Sequence, residues 1–330
     1  MTEIVAVDIG GTNARFALAE VDQGRVVALE PEVVLKCAEY ASLQTAWEAF
    51  AAMVGRPLPR AAGIAVACPV AGEVLQMTNN PWIIRPGLIR EKLSLDHYTL
   101  INDFGAVGHA VAQLGPEHFR HVCGPATPVS DAHVTSILGP GTGLGVAMLV
   151  RDGGGARVIE TEGGHTDFAP LDTIEDGILA RLRPHYRRVS VERIVAGPGL
   201  ANIYGALADI EGRAVTTQDD KVLWPLALAG EDSLAVAALD RFCMSLGSVA
   251  GDLALAQGAQ AVVIGGGVGL RIADYLARSG FEQRFCAKGR FEQRMKDIPV
   301  HLITHPQPGL FGAAAAFAAQ ADAAAKAAIS

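Results

Sequence analysis

Ile4-Val-Ala-Val-Asp8-Ile-Gly-Gly-Thr-Asn13 is the stretch on which the reading of this chain turns. Four apolar residues make a short β-prone run, Asp8 and a glycine pair end it, and a second apolar stretch follows at 16–21. That order predicts strand, glycine turn, strand. The pattern returns in mid-chain, where the apolar run 134–138 meets Gly139-Pro-Gly-Thr-Gly-Leu-Gly145 and residues 146–150 are again apolar. The copies share only Gly11-Thr12 and Gly141-Thr142, yet the common pattern predicts two related domains, each offering one glycine turn. A third cluster, Gly265-Gly-Gly-Val-Gly269, follows the apolar run 261–264.

The chain has 330 residues, which at about 150 residues per domain predicts roughly two domains. Half of it is hydrophobic but only 6% is aromatic, so the core must be built from Ala, Val, Leu and Ile. This excludes a disordered chain, a collagen repeat and a disulfide-stapled mini-protein. The charge is −8, from 27 basic and 35 acidic residues, so neither nucleic acid nor an anionic membrane is expected as a partner. The Arg-rich stretch 181–193 is broken by Glu192 and reads as a solvated helix face. Five cysteines without a Cys-x-x-Cys pair read as reduced thiols of a cytoplasmic protein. No signal peptide is read, since Asp8 interrupts the first apolar run, and no uncharged apolar run reaches membrane-spanning length.

Further strands are expected at 61–68 and 98–101, and helices from Ser42 to about Met53 and from just after Asn102-Asp103 to about Leu114. Strands alternating with helices predict an α/β architecture. Pro, His and Gly at 115–133 suggest a boundary or hinge. Thr173-Ile-Glu-Asp176 resembles a capping box opening a helix through Arg183. Residues 233–257 read as a long apolar helix whose Gly247 and Gly251 permit close packing. A helix is expected after Gly269 to about Arg278, and another in the Ala-rich tail from Gly312.

Successive backbone N–H groups in glycine turns make a nest for anions, and three such turns at strand ends point to nucleotide phosphate. No Gly-Lys-Ser/Thr is present, which excludes a P-loop, and none of the glycine clusters completes Gly-x-Gly-x-x-Gly/Ala, which disfavours a dinucleotide dehydrogenase. Asp103 has two readings: a base at the carboxyl end of a strand, where α/β folds bind ligands, or a cap of the next helix. Glu162 and Asp167 compete as functional acids, His165 alone reads as structural, and Glu192, just after Ser190, suits a helix N-terminus. His118-x-x-His121 has no Cys nearby and is not read as a metal site. Pro140 falls inside the second glycine turn and removes one N–H donor. Lys221-Val-Leu-Trp224 has no role derivable from its residues.

Asp8-Ile-Gly-Gly-Thr-Asn13 resembles the first phosphate motif of the hexokinase, actin and heat-shock-protein ATPase superfamily. Gly139 to Gly145 resembles its second phosphate motif, and Gly265 to Gly269 its adenosine motif. Met77-Thr-Asn-Asn-Pro-Trp82, Leu100-Ile-Asn-Asp-Phe104, Glu162-Gly-Gly-His-Thr-Asp-Phe168, Ser190-Val-Glu-Arg-Ile-Val-Ala-Gly-Pro-Gly199 and Pro308-Gly-Leu-Phe-Gly312 narrow the likeness to the bacterial ATP-dependent glucokinases. The cysteine-rich zinc motif of the ROK sugar kinases is missing, so the resemblance is to the zinc-free group. Residues 213–231 follow the family poorly.

The resemblance implies two ribonuclease-H-like α/β domains with a central interdomain cleft that glucose closes, a small domain of 1–112 plus 310–330 and a large one of 113–309. It implies phosphoryl transfer from ATP to the 6-hydroxyl of D-glucose, the first step of glucose catabolism. It makes Asp103 the catalytic base, and Asn102, Asp103, Glu162, His165 and Glu192 the glucose cradle. Asp8, Ile9, Gly10, Gly11, Thr12, Asn13, Gly141, Thr142, Gly143, Gly266 and Gly267 would bind ATP, with Asp8 holding Mg²⁺ through water. A homodimer and a C-terminal helix packed on the first domain are also implied. Two alternatives stay open: a fructose or mannose kinase, and a catalytically weak sugar-binding regulator on the same fold.

Overall fold

The computed structural model describes residues 1–77, 79–153, 155–215 and 219–329. The chain divides into two compact units, Met1–Gly115 with His305–Ser330, and Pro116–Thr304.

In the first unit, β1 (Thr2–Ile9) runs antiparallel to β2 (Asn13–Asp22), which continues to β3 (Arg25–Leu29) and also pairs with β4 (Val33–Lys36). On its other side β1 is parallel to β5 (Ala61–Val66), and β5 to the strand His97–Asn102. A two-stranded hairpin, β6 (Leu75–Gln76) and β7 (Ile83–Ile84), comes between them in the chain, making His97–Asn102 β8. Helices α1 (Leu43–Val54), α2 (Pro86–Lys92) and α3 (Asp103–Gln113) follow β4, β7 and β8. Alternation along β1 splits the core by face. Val5, Val7 and Ile9 join Trp47, Phe50 and Trp82, whereas Ile4 and Ala6 join Leu310, Ala314 and Phe317 of the C-terminal helix Pro308–Ile329. That helix lies so close that a Cβ on Gly63 would stand 2.1 Å from the Ala313 carbonyl oxygen, and one on Gly312 1.8 Å from that of Ala106. The Ala-rich composition is the composition of this close approach.

The second unit repeats the plan. After β9 (Phe119–Cys123), β10 (Val134–Pro140) is antiparallel to β11 (Leu144–Asp152), and β11 to β12 (Gly155–Thr161). On the other side β10 is parallel to β13 (Ala261–Ile264), and β13 to β14 (Val300–Ile303), with β9 closing the edge antiparallel. Helices α4 (Thr173–Tyr186), α5 (Gly199–Glu211), α6 (Asp220–Ala229) and α7 (Ser233–Gln257) lie between β12 and β13. Short helices α8 (Gly266–Arg271), α9 (Ala273–Leu276), α10 (Phe281–Cys286) and α11 (Glu292–Lys296) precede β14, so Pro308–Ile329 is α12. Helix α7 is long and apolar enough to span a membrane, but 15 of its 25 residues are buried, as befits a core helix. Gly247 and Gly251 let it approach α10: a Cβ on either would stand 2.2 or 2.5 Å from the Phe281 or Phe285 carbonyl oxygen.

Several local expectations are corrected. Asp172, not Thr173, caps α4, accepting from Ile174 and Glu175 N–H, and the helix continues past Pro184 to Tyr186. The helix after Gly265 breaks at Ile272 instead of running to Arg278. The terminal helix starts at Pro308, because proline suits a first turn. Pro140 ends β10 opposite Leu144 and is outside the turn, so its missing N–H costs the turn nothing. The stretch 115–133 holds a boundary, between Gly115 and Pro116, and it also contains β9. The Arg-rich stretch is not simply solvated: Arg188 binds Asp167, and Arg193 lies 4.5 Å over the Tyr186 ring. All five cysteines are free, and burial pushes the Cys123 and Cys243 thiols up to about 12.

Candidate active site

In the first unit the carboxyl ends of β1, β5 and β8 lie side by side, with Ile9 paired to Val66 and Val66 to Asn102. The β1–β2 turn is closed by Gly10 N–H donating to the Asn13 carbonyl at 2.9 Å. Asn80, only 6% exposed, donates its amide to the Gly10 carbonyl at 2.8 Å and accepts from Trp82 N–H. The indole of Trp82 in turn donates to the Cys37 and Tyr40 carbonyls. The 77–82 motif therefore supports the first glycine turn; its Thr78 lies outside the described residues. Gly11 passes Asn79 so closely that a Cβ would come within 3.0 Å of the Asn79 Cβ.

Asp8 sits opposite Arg15 across the hairpin, with a guanidinium nitrogen 3.6 Å from its carboxylate. Burial raises its pKa and Arg15 opposes that rise. A Cβ on Gly309 would stand 2.8 Å from an Asp8 oxygen, so only glycine there leaves that oxygen room. On the same sheet edge, Asn102 caps α3, accepting from Phe104 and Gly105 N–H. Its amide group donates to the Cys68 carbonyl at 3.3 Å. The cap thus belongs to Asn102, and Asp103 is the first helical residue, with one carboxylate oxygen accepting from Phe104 N–H at 2.9 Å. Asp103 is also close enough to the Cys68 thiol that its charge, after burial, raises that thiol's pKa.

In the second unit Gly141, Thr142 and Gly143 connect β10 to β11, with Thr142 exposed at the tip. Gly141 N–H donates to the Gly143 carbonyl at 2.8 Å, and the Gly141 carbonyl accepts from Gly197 N–H at 2.7 Å. Leu144 N–H, just past the turn, donates to the Glu192 carboxylate at 2.9 Å. Trp224, which carries no role legible in its sequence context, is buried and donates its indole N–H to the Gly197 carbonyl at 3.1 Å. It thereby supports the segment that holds the second turn. Gly266 has φ +77, and a Cβ there would stand 2.4 Å from the Pro140 carbonyl oxygen; Gly267 has open space beside it.

Glu162 precedes the short 3₁₀ turn Gly163–His165 and His165 ends it, their side chains 3.8 Å apart and both largely exposed. Asp167, the rival acid, is paired with Arg188 at 2.6 Å, and the same guanidinium also donates to the His165 carbonyl. Phe168 N–H donates to Val189 and Val191 N–H to Thr166, so the Glu162 loop and the Glu192 segment are stitched together. The predicted residues therefore fall into two sets. The first unit gathers Asp8 to Asn13 with Asn102 and Asp103, and the second gathers residues 141–143 with Glu162, His165, Glu192 and the 266–267 pair. Sequence reasoning missed Arg188, Asn80, Trp224 and Gly309. Asn80 and Gly309 lay inside recognised motifs without a role.

A family model for glucokinase matches residues 5–320. A curated glucokinase from Zymomonas mobilis is 65% identical over 316 residues, covering 96% of this chain and 98% of that protein. One from Caulobacter vibrioides is 42% identical over 321 residues, covering 96% of each. A crystal structure of glucokinase from an Antarctic psychrotroph matches with a TM-score of 0.84 at 34% identity, over 96% of this chain and 99% of that one. Two ribonuclease-H-like units, each with a glycine turn in an antiparallel strand pair, after β1 in one and after β10 in the other, define a sugar kinase of the actin and hexokinase type. Such kinases take their phosphoryl group from ATP. The chain belongs to the glucokinase family.

Proposed function

We propose that this enzyme phosphorylates the 6-hydroxyl of D-glucose, with Asp103 as the base. The observation that carries the assignment is the carboxyl edge of the first sheet, where the β1 glycine turn and Asn102-Asp103 stand on neighbouring strand ends joined through β5. Asn102 takes over the helix cap, so Asp103 is not needed for that task. A hydroxyl is a poor nucleophile until its proton is accepted, and a carboxylate accepts it as the O–P bond forms. Asn102 holds the chain that presents Asp103. In the second unit Glu162, His165 and Glu192 receive sugar hydroxyls, for which carboxylates are paired acceptors.

Backbone N–H groups of the two glycine turns, with Thr12, Asn13 and Thr142, receive phosphate oxygens. Gly267, with open space beside it, suits an adenine lying against the backbone, whereas Gly266 is fixed by its packing on Pro140. Asp8 fits a Mg²⁺ carried by ATP: a single carboxylate at the end of β1, beside the glycine turn, suits an ion that keeps most of its water. The ion, when bound, neutralises charge on the phosphates. The enzyme is proposed to act in the cytoplasm as a homodimer, without nucleic acid or membrane.

The test is ADP release from Mg·ATP with glucose, mannose, fructose or no sugar. Turnover with glucose far above the others is expected, and equal turnover with fructose or mannose would replace the substrate. Asp103→Ala is expected to lower kcat by roughly 10²–10⁴ while ATP still binds. Near-wild-type turnover in that variant would remove Asp103 from the base role.

A further inference from the structure

We infer that Arg188 is a positioning residue for the sugar loop, fixing the backbone of His165 and registering it against the segment that carries Glu192. The inference rests on the sugar-holding roles proposed for Glu162, His165 and Glu192. Its observation is that one guanidinium grips two acceptors of the same loop. Nε donates to Asp167 at 2.6 Å, and a terminal nitrogen donates to the His165 carbonyl.

The backbone around Arg188 is arranged to deliver it. Just past the end of α4 at Tyr186, Arg187 is a non-glycine residue at φ +57, a conformation that persists where surroundings impose it. The chain then runs alongside the loop: Phe168 N–H donates to Val189 at 3.0 Å, Val191 N–H to Thr166 at 2.9 Å, and Asp167 bridges Ser190. These bonds fix residues 166–168, one step beyond the 3₁₀ turn Gly163–His165. Arg188 reaches back past them to the His165 carbonyl, at the end of the turn that sets Glu162 and His165 3.8 Å apart.

Stability alone does not account for this arrangement. The Arg188 and Asp167 side chains are 61% and 75% exposed, and exposed ion pairs contribute little. A planar fork does supply direction, which a lysine's point charge does not. Arg188 also excludes Asp167 from the cradle by engaging its carboxylate, which leaves Glu162 as the acid of this loop.

The experiment is steady-state kinetics of Arg188→Met and Arg188→Lys with glucose varied at saturating Mg·ATP, alongside thermal unfolding and Glu162→Gln. Arg188→Met is expected to raise the glucose KM roughly tenfold or more, with kcat within about threefold and the ATP KM unchanged. The melting temperature is expected to stay within about 2 °C, and lysine to recover only part of the KM. A glucose KM within about twofold of wild type overturns the inference, as does a KM rise accompanied by a matching loss of thermal stability. Glu162→Gln separates the two layers. If it raises the glucose KM and Arg188→Met does not, the cradle stands and the positioning role falls. If Glu162→Gln leaves the KM unchanged, both fall.

Discussion

Gly143 and Glu192 are fitted to one another. A Cβ at 143 would stand 2.5 Å from the carboxylate oxygen that accepts Leu144 N–H. That oxygen is the far end of a flexible side chain, so Gly143→Ala is expected to leave the fold intact and push Glu192 off the turn. If Glu192 holds glucose and the 141–143 turn holds phosphate as proposed, the KM values for glucose and ATP should then rise together, because the two lose their shared bond. Glu192→Gln keeps a carbonyl to accept from Leu144, so its effect is expected chiefly in the glucose KM. Two-substrate kinetics on the pair checks this, and equal patterns would mean the bond does not couple the two ligands. The residues that sequence reasoning nominated here were nominated by motif. What it could not supply was the division of labour between neighbours: Asn102 as cap beside Asp103, or Asp167 bound to Arg188 beside Glu162. The second of these depends on a contact across 21 residues of chain, Arg188 with Asp167, which local spacing does not encode.

Elements were legible where the period was strong and poorly legible at their ends. The strand–glycine turn–strand units, the 233–257 helix and its Gly247/Gly251 face all follow from residues close in sequence. The starts of α4 and α12, capped at Asp172 and begun at Pro308, were placed too late in the chain. Trp224 stayed unexplained because its partner, the Gly197 carbonyl, is 27 residues away. Gly63 shows what the tail's composition is for. Its missing Cβ makes room for the Ala313 carbonyl, a backbone group of a helix packed along its whole buried face. Gly63→Ala is expected to cost about 3 kcal/mol or more, since neither strand nor helix backbone can yield cheaply. Urea unfolding measures it, and a midpoint equal to wild type would show that the helix can lift off β5 without penalty.

The two sheets share a five-strand order, β3-β2-β1-β5-β8 in one unit and β12-β11-β10-β13-β14 in the other, with β1 and β10 each antiparallel to the strand after the glycine turn and parallel to the strand on the other side. The sequence carried that duplication in its two glycine turns even though the copies share little else. Stability as a function of pH belongs to the whole molecule, and its acid limb is set partly by His109 on α3. Burial pulls that imidazole down to about 4 from an ordinary 6.5. Above the ordinary value neither folded nor unfolded chain protonates there, and His109 contributes no slope. Between 6.5 and 4 the unfolded chain takes up a proton that the folded chain refuses, so stability falls as the pH is lowered through that window. His301, also lowered by burial, acts in the same direction. Glu175, whose carboxyl burial raises, acts in the opposite one, gaining stability as it protonates. His109→Gln removes the first of these groups, so the variant is expected to lose about 3 kcal/mol less than wild type between neutral pH and pH 4. Denaturant unfolding across that range reads the slope independently of any constant cost of the substitution. Parallel curves for the two proteins would mean that His109 protonates in the folded state as readily as in the unfolded one, and that the acid limb has another origin.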